Sequence, residues 1–226
     1  MPFPKTWAEE LIIEWLHLDG FLVEANLPVS VAKRGGRLEV DIVGARISGN
    51  MLEIKHIETG QLSGGQEGAN RVKEKKFSND VCSSVINYFK QRLSFTGNRI
   101  NYQKVFIPTH WSNPTIKTLT QLGIIVKPLP DFICHEILPT IQKWKQNPSH
   151  QPQTKGKYVT LPESYWLLQL IDYLNDRRLL KGLCPRVITS YFLKPVFSVL
   201  MLITLVFTGE KRLLIFISFS FAKEIN

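Results

Sequence analysis

Residues 37–57, RLEVDIVGARISGNMLEIKHI, decide how this chain is read. Two apolar runs flank a stretch of small and turn-forming residues, a pattern that predicts two short strands and a connection. Side chains of a strand alternate between faces. In the first run Leu38, Val40 and Ile42 share one face, and Glu39, Asp41 and Val43 share the other. In the second, Leu52, Ile54 and His56 share one face, and Met51, Glu53, Lys55 and Ile57 share the other. Glu53 and Lys55 therefore project together. With residues 44–50 as the loop of an antiparallel hairpin, Asp41 lies opposite Glu53. Adjacent carboxylates repel and raise each other's pKa, and a hard divalent cation with oxygen ligands removes that repulsion.

The spacing of Asp41 and then Glu53-Ile54-Lys55 resembles the active-site motif of the PD-(D/E)XK nuclease superfamily. This is the restriction-endonuclease-like fold, to which Holliday-junction resolvases and several repair nucleases belong. Val40 stands where the motif has a proline, which many members lack. The resemblance implies that Asp41 and Glu53 hold Mg²⁺ or Mn²⁺ and that Ile54 lends the metal a backbone carbonyl. It implies that Lys55 positions the attacking water and stabilises charge on the phosphate. Ala8-Glu9-Glu10-Leu11, with Gly20 beyond, resembles the first helix of that family, which implies that Glu9 reaches the metal site. The residues alone offer Glu9 a second use, since Thr6 and Glu9 have the spacing of a capping box. Glu9 falls on the packed side of this helix with Ile12, Ile13 and Leu16, away from a polar stripe of Glu10, Glu14 and His17.

The context is that of a basic globular protein. The 226 residues are 44% hydrophobic, enough for a core, and carry a formal net charge of +9. That balance favours a polyanionic partner, with DNA foremost. Lys33, Arg34 and Arg37 form a basic turn just before the Asp41 strand. Arg71, Lys73, Lys75 and Lys76 form a second cluster beyond a Gly-, Gln- and Ser-rich stretch, 58–70, read as a long loop. Both clusters are candidate phosphate contacts, against the plainer reading of solvated surface. His56 is read as a packed side chain and not as a ligand. Cys82, Cys134 and Cys184 are isolated, which reads as reduced thiols of a cytoplasmic protein. Met1 to Pro4 leads directly into a helix with no signal-peptide pattern.

Taken in order, the periodicity predicts a helix from Thr6 to Gly20, a strand over 21–27, the two strands above and a helix over 79–93. A strand over 103–108, a helix over 114–122, a strand over 124–129 and a helix over 131–145 follow. The order from Trp7 to Pro130 matches the restriction-endonuclease-like fold. The expected class is α/β, a mixed central sheet flanked by helices, with an extra C-terminal helical and apolar region. The expected layout is a nuclease-like domain over 1–145, a linker over 146–160 and a C-terminal part over 161–226. That part starts with an amphipathic helix over 162–180 whose inward residues are Trp166, Leu167, Leu170, Ile171 and Leu174. The runs 195–208 and 213–222 are apolar but each is shorter than the about 20 residues of a spanning helix. A β-hairpin, a homodimer or partner surface, and a tilted membrane segment stay open for them, the last the least favoured. Two other function classes stand beside the nuclease: a non-catalytic nucleic-acid-binding module on the same fold, and a membrane-associated protein anchored by the tail.

Overall fold

The computed structural model describes residues 4–31, 37–146, 148 and 159–184. The apolar runs after 187, most of the 146–160 stretch, Lys33 and Arg34 lie outside the described residues, and Arg37 is described in its backbone only. Helix α1 (Trp7–Leu18) starts where expected, with the Thr6 hydroxyl accepting the Glu9 N–H at 3.2 Å. Strands β1 (Leu22–Val31), β2 (Arg37–Ser48) and β3 (Met51–Leu62) follow as an antiparallel meander. Helices α2 (Gly65–Lys76) and α3 (Asn79–Arg92) then cross over to β4 (Ile100–Trp111), which pairs parallel to β3. Helix α4 (Asn113–Gln121) leads to β5 (Ile125–Val126), parallel to β4. The sheet is mixed, five-stranded and ordered β1-β2-β3-β4-β5, so the α/β class with flanking helices is the observed fold.

Each face of the sheet has its own cover. On one, Val81, Val85 and Phe89 of α3 pack with Val43, Ala45, Leu52 and Ile54. Beside them Leu62, Ala69, Phe77, Phe106, Leu119 and Ile124 join α2 and α4 to the sheet. The opposite face belongs to α1. Gly44 lets it settle there, because a Cβ on Gly44 would stand 3.0 Å from the Leu16 side chain and 3.3 Å from Phe21 Cβ.

Several elements depart from the periodicity. The stretch read as a loop over 58–70 is the end of β3 and the first half of α2. Gly68 is used for close packing: a Cβ there would lie 2.0 Å from the Ser63 carbonyl oxygen. The strand expected over 124–129 keeps only Ile125 and Val126 in the ladder. The chain turns at Pro128 into α5 (Leu129–Phe132), a π-helical turn (Ile133–Ile137) and α6 (Leu138–Gln146).

Helix α7 (Trp166–Asp176) docks back on α1, within the compact unit that extends to Cys184. Glu14, expected on the polar stripe, is buried there. Its carboxylate accepts the N–H groups of Leu167 at 3.3 Å and Leu168 at 2.9 Å, the free donors of the α7 N-terminus. The Trp166 indole N–H meets Glu10 at 2.8 Å. This tether rotates α7, so Leu167, Leu168 and Ile171 are buried while Trp166 and Leu170 face outward. Cys134 and Cys184 are joined as a disulfide, with Cα atoms 5.6 Å apart. The reading of isolated thiols therefore holds for Cys82 alone, which is free and buried. Among the described residues no helix is long and apolar enough to cross a membrane.

Candidate functional site

The position of the hairpin turn sets every face in the site. The turn is Gly49-Asn50, with Ser48 opposite Met51, and Gly44 lies within β2 opposite Lys55. Arg46 pairs with Glu53, Val43 with His56 and Ile42 with Ile57. Residues directly opposite in an antiparallel pair share a face. Glu53 and Lys55 therefore share the α1 face with Arg46 and Gly44. Asp41 lies an odd number of residues from Arg46 and points the other way. The expected meeting of Asp41 with Glu53 does not occur; the ladder carries Asp41 to Glu58.

Glu53 instead receives the Arg46 guanidinium at 2.7 Å. The Lys55 ammonium lies 4.3 Å from the Trp15 ring centre and 4.5 Å from that of Phe21, with Asp19 at 3.4 Å. Burial lowers its pKa, against the pull of Asp19. Ile54 is fully buried in the α3-facing core. Glu9 is buried and accepts the Lys5 N–H at 2.7 Å, so its carboxylate is occupied with the helix cap. Lys5 pairs through its ammonium with Glu39 at 2.7 Å, which raises its pKa, with smaller contributions from Glu9 and Asp41.

On the other face a different set converges. The Asp41 N–H donates to Glu58 Oε1 at 3.3 Å, and the Thr59 N–H donates to Asp41 Oδ2 at 3.3 Å. Lys76, at the last turn of α2, places its ammonium 3.0 Å from Asp41 Oδ1 and 2.7 Å from Glu58 Oε2. Behind Glu58 lies a buried polar chain. His56 Nε2 is 3.1 Å from Glu58 Oε1, and His56 Nδ1 is 2.7 Å from the Tyr102 hydroxyl. These partners set the neutral tautomer: Nε2–H donates to the carboxylate and Nδ1 accepts from Tyr102. His56 packs against Phe77 and is a buried support, in keeping with its reading as a packed side chain.

Electrostatics single out Glu58. Burial, and then the Asp41 charge, hold its carboxyl well above the ordinary range despite Lys76. Burial depresses Lys76, but Glu58 and Asp41 more than offset that and hold it cationic. Burial lowers His56 and raises Tyr102, so the chain behind Glu58 is neutral. A stability prediction follows from these directions. A carboxyl whose folded pKa lies above its unfolded value favours folding below the unfolded value, and that contribution is lost as pH rises through the folded pKa. Between about pH 5 and pH 8 the Tm of the wild type is expected to fall relative to that of Glu58→Gln, with His56 common to both. Calorimetric scans of the two proteins check this; parallel Tm curves would contradict it.

Of the basic clusters, Arg71, Lys73 and Lys75 are exposed on α2, with Arg71 tied to Glu67 at 2.9 Å. Lys76 leaves that surface and turns to the acidic pair. Glu58, Thr59 and Lys76 as a set escape a reading based on the Glu-x-Lys spacing; the Gly-Asn dipeptide at 49–50 is the signal in the sequence that points to Glu58. Among the described residues no three His, Cys, Asp or Glu side chains gather into a ready-made ligand cage.

No family model matches this sequence, and no curated protein does. Among solved structures the chain is similar to a crystal structure of a repair endonuclease from Pyrococcus abyssi, at 16% identity and a TM-score of 0.31. The match covers 57% of this chain and 49% of that one, so it spans about half the length of that protein.

Proposed function

We propose that the protein is a metal-dependent nuclease hydrolysing phosphodiester bonds, DNA foremost, through Asp41, Glu58 and Lys76. The observation that carries this reading is the Asp41–Glu58 pair on neighbouring strands with one ammonium held between the two carboxylates. It is the arrangement expected at residues 41, 53 and 55, rebuilt on the correct register with the lysine supplied by α2. Thr59, next after Glu58, takes the backbone position expected of Ile54. Glu9 is left with its cap and, through Lys5, an outer electrostatic part.

The donor set fits Mg²⁺ or Mn²⁺. Mg²⁺ is commonly bound by one or two protein carboxylates, with water and substrate phosphate at its other positions, and Asp41 and Glu58 offer carboxylate oxygens. Bound there, such a cation would offset phosphate charge and activate water. Asp41 and Glu58 would hold the cation through their carboxylate oxygens. His56 and Tyr102 fix the Glu58 carboxylate from behind. Lys76, which lies against both carboxylates, would meet the phosphate and the attacking water. The net charge of +9 and the exposed Arg71, Lys73 and Lys75 supply the polyanion-binding surface beside the pair.

The test is incubation with plasmid, linear and branched nucleic acids in the presence of Mg²⁺, Mn²⁺ or chelator. Cleavage that stops with chelator is expected. Neutralising Arg71, Lys73 and Lys75 together is expected to weaken binding to all sequences alike and to flatten the salt slope by about 0.9 for each phosphate that is no longer neutralised. Tight binding without cleavage of any substrate would replace this reading by the non-catalytic binding module.

A further inference from the structure

The α1 face of the sheet holds a cavity of about 280 Å³, separate from the acidic pair. Its floor is Lys55 and Ile57 of β3 with Gln103 and Val105 of β4, its walls are Trp15 and Phe132, and Lys127 and Glu136 close it. Trp15 and Phe132 meet edge to face at 4.8 Å between ring centres, so the two aromatic walls stand nearly perpendicular.

Three features of this cavity have no use in the proposed nuclease chemistry. Lys55 is largely withdrawn from water, with 19% of its side chain exposed, an unusual place for an ammonium that could reach solvent. Its partner Asp19 is shared: Arg46 reaches the same carboxylate oxygen at 3.6 Å and also holds Glu53 at 2.7 Å. Arg46 stays beside Asp19 when Lys55 turns to another anion, and then serves Asp19 and Glu53 together. Finally, Glu136 is carried to the rim by the π-helical turn Ile133–Ile137, a register that recurs at functional sites. Glu136 is spent on Lys127, with which it forms an ion pair, which leaves Lys55 as the lining cation whose partner, Asp19, lies outside the lining.

We propose that this cavity binds a small planar ring carrying one anionic group, a carboxylate or a phosphate. The ring lies along Trp15 and Phe132 and over Ile57 and Val105, the anion meets Lys55, and Gln103 offers an amide to the ring edge. The size is just below the usual range of ligand pockets, which sets the class at a single ring system or one mononucleotide. This site does not depend on the nuclease reading, since it lies on the other face of the sheet.

Isothermal titration of the full chain with nicotinate, nicotinamide, acetate and uridine monophosphate tests it. At least one of nicotinate and uridine monophosphate is expected to bind with a Kd near or below about 1 mM, and which one does so distinguishes carboxylate from phosphate. Nicotinamide, which lacks the charge, and acetate, which lacks the ring, are expected to bind at least about tenfold more weakly. Lys55→Met keeps the stem and removes the charge, and is expected to weaken binding about tenfold or more. Val105→Phe fills the cavity and is expected to abolish binding with the circular dichroism spectrum unchanged, which keeps the test decisive should Lys55→Met fail to fold. No saturable binding of either anion up to about 10 mM, equal binding of nicotinamide, or undiminished binding by both variants would overturn the proposal.

Discussion

Glu58→Gln is expected to reduce metal-dependent cleavage by about a hundredfold to a thousandfold, whereas Glu53→Gln leaves it within about twofold. The contrast follows from the ladder. Glu58 lies across from Asp41, buried, with His56 at 3.1 Å fixing one oxygen and Lys76 at 2.7 Å from the other. The amide keeps the shape and removes the charge a divalent cation needs. Glu53 lies on the reverse face and is bound to Arg46 at 2.7 Å. Its amide forfeits one partly exposed ion pair, which matters for stability by about 1 kcal/mol or less. Rates measured on a nicked-plasmid assay, with both proteins shown folded by circular dichroism, check the pair. Equal losses in both variants, or a loss confined to Glu53→Gln, would contradict the placement.

The second large effect separates the two lysines. Lys76→Ala is expected to lower cleavage about a hundredfold or more, because a positioned cation near the phosphate is removed from a partly buried site. Its metal affinity should stay the same or rise, since the ammonium that competes for Asp41 and Glu58 is gone. Lys55→Ala should do the reverse: a lower Tm, because the stem and charge no longer pack over Trp15 and Phe21, with cleavage retained at temperatures where the protein is folded. Metal titration, thermal melts and cleavage rates on the same two preparations measure all three quantities. Loss of metal binding in Lys76→Ala would mean that the lysine holds the fold of the site and has no chemical part.

Much of the architecture is legible in the residues because it rests on local pattern. The Thr6 cap, the α3 stripe of Val81, Val85 and Phe89, and the strand through Val105 all follow from periodicity and turn chemistry. That Asp41 is a carboxylate within a strand also follows from the alternation around it. What the pattern hides is register. Gly44 reads as a strand breaker, yet it serves as the gap into which Leu16 packs, a tertiary reason invisible in one strand. Moving the turn from 44–50 to Gly49-Asn50 shifts the pairing by an odd number of residues, and such a shift exchanges the faces of a whole strand. Glu53 and Lys55 then turn together to the α1 face, and Glu58 comes to lie beside Asp41. Lys76 is visible in the sequence only as one of four basic residues, because its inward turn depends on where α2 starts, and that start depends on Gly64, Gly65 and Gly68. The docking of α7 is hidden for a similar reason: Glu14 sits on a stripe that looks polar until a second helix N-terminus is brought to it.

Calorimetric titration with Mn²⁺ of the wild type, Asp41→Asn, Glu58→Gln and Glu53→Gln decides whether Asp41 and Glu58 hold a metal, since it reads the site without requiring the right substrate. One saturable site is expected in the wild type, lost in Asp41→Asn and Glu58→Gln and retained in Glu53→Gln. Retention in Glu58→Gln together with loss in Glu53→Gln would contradict it, and would return the site to residues that the structure holds on opposite faces of the sheet.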